Sequence, residues 1–155
     1  MFVKRGLLVL LPVLFVLFVS CGGYNLNFPP PAQDAQPQDI FPAEIDGLKY
    51  QLQKAGDIGG LIAVYGKGEI TIRASRLKTK DEADIGFKNA ILPLFNDFPT
   101  RASGKINGIY KASGTDGNGR NYFAWVNNNY IFLIAGHDKS FLEKGIDAFP
   151  YIALE

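Results

Sequence analysis

The sequence predicts an α+β fold: a mainly antiparallel sheet of about six strands in two duplicated βββα modules, with both helices on one face. Three observations carry that expectation. Short apolar runs alternate with polar residues and end in Gly- and Asn-rich turns, the mark of antiparallel strands. Each set of runs closes on a helix-start signal, Thr79 followed by Glu82 and Ser140 followed by Glu143. Finally, the chain resembles itself at an offset of 61 positions: Gly47 meets Gly108, Ala63 meets Ala124, Ile70 meets Ile131, Ala74 meets Ala135, Lys78 meets Lys139 and Glu82 meets Glu143.

In the first module, Leu48, Tyr50 and Leu52 alternate, Leu61 to Tyr65 is apolar, and Ile70, Ile72 and Ala74 alternate with Glu69, Thr71 and Arg73. These are three expected strands, the last two joined by a tight turn at Gly66, Lys67 and Gly68. The helix opening at Thr79 places Ala83, Phe87, Ala90, Ile91 and Leu94 on one face, and Pro93 is expected to end or kink it. In the second module, Ile106 to Tyr110, Tyr122 to Val126 and Tyr130 to Ala135 are the expected strands, with turns at 113 to 119 and 127 to 129. A helix from Ser140 then carries Phe141, Leu142, Ile146 and Phe149 and stops at Pro150. A ferredoxin-like order, with residues 150 to 155 as a last strand, is the competing arrangement.

The first twenty residues read differently from the rest. Lys4 and Arg5 precede an apolar run from Gly6 to Val19, and small Ser20 stands before Cys21, which is how a secretory signal is built. That run is shorter than the roughly 18 residues that span a hydrocarbon core. Residues 17 to 21, LFVSC, resemble the lipobox of bacterial lipoproteins. The resemblance implies a diacylglycerol on Cys21, loss of residues 1 to 20, and a domain held outside the cytoplasm by a covalent lipid in the cell membrane or outer membrane. Gly22 after the cysteine implies the outer membrane where the host has one. Residues 21 to 38, rich in Pro, Gln and Asn, are expected to be the lipidated cysteine and its linker, and residues 39 to 155 a single domain.

Composition narrows the function classes. Removal of residues 1 to 20 takes Lys4 and Arg5, leaving 14 basic against 15 acidic residues, so nothing favours nucleic acid as a partner. One cysteine allows no internal disulfide, and no Cys/His zinc spacing occurs. Neither a nucleophile elbow, a zinc-protease motif, a P-loop nor a dinucleotide fingerprint is found, and no cofactor or metal is expected. His137 and Asp138 lack a companion nucleophile and read as a strand-to-helix loop. Residues 115 to 121 begin like a calcium loop, but Arg120 falls at a ligand position, and Asp-Gly and Asn-Gly pairs suit a hairpin turn.

The aromatic hairpin is the candidate binding surface. Tyr122 faces opposite Phe123 and Trp125, Tyr130 opposite Ile131, and both faces of the hairpin are apolar. With both helices on one side, either Phe123 and Trp125 or Tyr122 and Tyr130 are expected on a partly exposed surface. The function expected is that of a lipid-anchored, non-catalytic accessory or binding protein of the bacterial envelope, with an envelope protein or a second copy as partner. A small envelope enzyme with a dispersed polar site around His137, and a structural subunit dimerising through the open sheet face, are the alternatives.

Overall fold

The computed structural model describes residues 28–56 and 59–152. Its frame is one antiparallel sheet of eight strands: β1 (Glu44–Ile45), β2 (Leu48–Lys54), β3 (Leu61–Tyr65), β4 (Ile70–Arg76), β5 (Thr100–Ile106), β6 (Ile109–Thr115), β7 (Asn121–Asn127) and β8 (Tyr130–Gly136). Their spatial order is β1-β2-β3-β4-β8-β7-β6-β5, so each half is a four-strand meander and the two meet at the β4–β8 pair.

The expectation of about six strands in duplicated βββα modules is therefore corrected to eight. The extra strands are β1 and β5, each joined to its successor by a two-residue turn with both residues at positive φ: Asp46-Gly47 (53° and 78°) and Asn107-Gly108 (50° and 80°). Asn-Gly and Asp-Gly adopt such turns at little steric cost. Ile106 to Tyr110, expected as a strand, is thus the bend between two strands. The ferredoxin-like order is also excluded by this topology.

A second correction concerns the helices, which lie on opposite faces. Helix α2 (Lys80–Gly86) continues into a π turn (Phe87–Ile91) and a 3₁₀ turn (Leu92–Phe95), and packs Ala83, Phe87, Ile91 and Phe95 on Ala112, Ala124, Val126 and Ile131. Helix α3 (Lys139–Ala148) lies on the other face, over β8 and β4, where a Cβ on Gly145 would stand 2.9 Å from Ile134 and 3.1 Å from Ile70. Each helix has its own core because β7 and β8 are apolar on both sides.

Pro93 acts at the end of the first helical segment, as expected, though through the π turn. Leu92 donates its N–H to the Phe87 carbonyl, five residues back. That one-residue slip turns Leu94 outward to 45% exposure and brings Phe95 into the core. Ile85, aligned with Ile146 by the 61-residue offset, is likewise exposed.

The α3 face is completed from both ends of the chain. The single turn α1 (Pro37–Ile40) and the preceding residues, expected to be linker, pack Phe28, Ala35, Ile40 and Phe41 against the sheet. Asn127 donates to the Pro29 carbonyl (3.3 Å), and Tyr151 donates its hydroxyl to the Asp39 carbonyl (2.9 Å). Cys21, residues 1 to 20 and the first part of the expected linker lie outside the described residues. Among the described residues no helix is long and apolar enough to cross a membrane.

Candidate functional site

Cross-strand partners share a face, so the register places each aromatic of the expected binding surface. Phe123 pairs with Ile134 and Trp125 with Phe132, on the α3 side, while Tyr122 pairs with Ala135 on the α2 side. Tyr130 stacks on Phe132 at 5.5 Å and belongs to the α3 side with Trp125, so Tyr122 and Tyr130 lie on opposite faces. Trp125 and Tyr130 are buried. The expected open aromatic face is thus replaced by two closed cores: Trp125 packs on Phe149 at 5.7 Å and donates its indole N–H to the Tyr151 carbonyl at 3.0 Å. Tyr122 lies against Phe98 at 4.9 Å and donates its hydroxyl to Asp116 at 3.0 Å.

Opposite helices leave two half-faces without a helix. On the α2 side, β2 to β4 present Gln51, Gln53, Ile62, Val64, Thr71 and Arg73. This half carries polar contacts of its own. Arg73 is buried and donates to Ser75 Oγ at 3.1 Å, and Arg120 reaches over from the β6–β7 turn to Gly68 O (2.9 Å) and Thr71 Oγ1 (3.2 Å).

The other half-face is apolar and open. Ala102, Gly104 and Ile106 of β5, Ser113 of β6, Phe123 of β7 and Ile146 of α3 line a groove of about 550 Å³ between the β5–β6 hairpin and the helix. It exists because α3 is seated over β8 and β4, too far along the sheet to cover β5 and β6. Small residues on β5 and β6 keep its floor low, and Phe123, half-buried, is the one aromatic of the expected surface that reaches it. Lys105 and Lys111 also line it.

Lys105 is tied to the neighbouring α2 side. Its ammonium lies 3.6 Å from the Asp84 carboxylate, which also meets Lys80 at 3.0 Å, and 4.6 Å from the centre of the Tyr110 ring. Lys88 stands 5.0 Å from the same ring. Its hydrogen bond, with the positive charges of both lysines, lowers the Tyr110 phenol below its ordinary pKa, and the same hydrogen bond, with the Tyr110 and Asp84 charges, raises that of Lys88.

The catalytic alternative gains no constellation. His137 is exposed, and its backbone N–H donates to the Glu69 carbonyl at 2.7 Å, which closes a loop. Asp138 caps α3 by accepting the Phe141 N–H at 3.0 Å. Among the described residues no group of three metal-ligating side chains converges. Asp116, first in the calcium-like stretch, accepts instead from the Asn118 and Arg120 N–H groups at 2.9 and 3.0 Å, as a hairpin turn requires.

Sequence reasoning missed β5 and Ile146 as groove walls. The Asn107-Gly108 pair was the available signal, since it marks a hairpin whose preceding strand must pair with the next.

The fold is similar to that of a GTP binding regulator from Thermotoga maritima known by its crystal structure, with a TM-score of 0.51, 14% identity, and coverage of 72% of this chain and 84% of that one. At that identity the likeness concerns the fold alone. The sequence matches no family model and no curated protein.

Proposed function

We propose that this chain is a lipid-anchored, non-catalytic binding protein of the bacterial envelope that takes its partner in the groove between the β5–β6 hairpin and α3. The observation that carries the reading is the groove itself, an apolar recess beside the free β5 edge of the sheet. The anchor rests on the signal segment ending at Cys21. Two or more acyl chains on one residue hold a protein stably to a membrane, whereas one does so only marginally.

Anchored at Cys21, the domain is close to the bilayer. Seven residue steps separate Cys21 from Phe28, which already packs on the core, and at most about 3.6 Å per step limits that span to about 25 Å. Phe28, Pro29 and Pro30 lie beside Gly108, Ile109, Asn127 and Asn128, so the end of the sheet bearing these turns is the membrane-proximal end.

Fractionation of cells expressing the full chain tests the anchor. The expected result is a membrane-bound protein lacking residues 1 to 20, with a diacylglyceryl mass on Cys21, and a Cys21→Ser variant that leaves the membrane fraction. An unprocessed chain with a free thiol refutes the lipid anchor.

A further inference from the structure

Strand β5 is the outer edge of the sheet, seven residues long, exposed along its whole length and free of proline. Such an edge is a template for another strand unless something blunts it. The register says which backbone groups are free. Ile106 and Ile109 flank the two-residue Asn107-Gly108 turn and form the closing hydrogen-bonded pair. Antiparallel pairs alternate, so Gly104 and Ala102 also bond inward to β6, while Arg101, Ser103 and Lys105 direct N–H and C=O outward.

That free edge is also the lip of the groove. Five consecutive residues, Ala102 to Ile106, border it, which requires the β5 backbone itself to form its wall. A strand added there would alternate its side chains between the groove, against Phe123 and Ile146, and the opposite side, beside Arg101 and Lys105. Residues 98 to 115 contain Arg101, Lys105 and Lys111 and no carboxylate, and Asp84, which Lys105 meets from the α2 side, is shared with Lys80, so the edge keeps a net positive charge. Charge also disfavours a second copy: two β5 strands paired antiparallel about Ser103 would set Arg101 opposite Lys105, and like charges directly opposite are destabilising.

We propose that the free edge of β5 and the adjoining groove bind an extended acidic segment of a partner protein by strand addition, its apolar side chains entering the groove and its carboxylates meeting Arg101 and Lys105. This rests on the reading of the groove as the binding site. Main-chain pairing supplies affinity and the alternate pockets supply selectivity.

The test is fluorescence anisotropy of a labelled hexapeptide of alternating Glu and Val, titrated with the full chain in detergent micelles. Saturable binding is expected, weakened at least tenfold by Ser103→Pro, which removes an outward N–H and no bond to β6. The same loss is expected for a peptide N-methylated at every residue, so that whichever alternate set faces β5 is blocked, and for one with Lys in place of Glu. The methylated peptide keeps the test valid even if Ser103→Pro fails to fold. Equal binding of methylated and unmethylated peptides overturns strand addition, as does a dimer that Ser103→Pro dissociates. If the peptide fails but anilinonaphthalene sulfonate binds and is lost with Ile146→Asp, strand addition falls and the groove reading stands; if neither binds, both fall.

Discussion

Trp125 is held on several sides at once: Phe123 and Phe132 lie at 5.3 Å, Phe149 crosses edge-on at 5.7 Å, and the Tyr151 carbonyl takes its N–H. Replacing such a side chain by a small one costs about 3–5 kcal/mol, so Trp125→Ser is expected to lower the melting temperature strongly. Phe123→Ser, at a half-buried groove position, is expected to cost clearly less. Thermal denaturation of the two variants side by side checks this order. Asp116 gives a pH dependence. Desolvation works to raise its pKa, but hydrogen bonds from the Arg120 N–H, the Tyr122 hydroxyl and the Asn118 N–H, with the Arg120 charge, outweigh it and hold the carboxyl below its ordinary range. A depressed folded pKa contributes stability above the unfolded value of about 3.9 that is lost as pH falls through the folded one. The stability gap between the native chain and Asp116→Asn is therefore expected to be constant near neutrality and to shrink below about pH 4, as thermal melts across that range will read.

Helix starts and turns show how far local chemistry reaches. At Thr79 the side chain accepts the Glu82 N–H at 3.1 Å, as the sequence signal implies, although Glu82 reaches back to Lys78 at 2.9 Å. At the second helix the cap is Asp138, two residues before the Ser140 that the capping-box pattern selects. Asp138→Ala is expected to destabilise the domain by about 1 kcal/mol and Ser140→Ala to be nearly neutral, which urea denaturation can resolve. The central strands were legible because their apolar residues alternate or run together. Strand β5 was not, since Thr100 to Ile106 is exposed throughout and offers little hydrophobic period. The Asn-Gly turn that betrays β5 was absorbed into a run of apolar residues beginning at Ile106.

At the scale of the molecule, β2 and β6, and β3 and β7, stand about 61 residues apart, yet that offset does not say to which face each helix returns. Periodicity fixes which residues share a face; the side on which a helix docks is decided by tertiary packing of both cores at once. The apolar character of both faces of the aromatic hairpin was the legible trace of that arrangement. It signalled two covering helices rather than one open face. The groove follows from the same cause, because helices on opposite sides and over different strands leave β5 and β6 uncovered on the α3 side. Occupation of this groove by a partner in the intact envelope can be read by cysteine labelling. With Cys21 taken up by the proposed lipid, Ser113→Cys places one thiol in the groove and Asn118→Cys one at an exposed turn outside it. Maleimide should modify the groove thiol slowly in native envelopes and rapidly after purification, while the turn thiol reacts at one rate in both. Equal rates for the groove thiol in envelope and in purified protein would contradict that occupation.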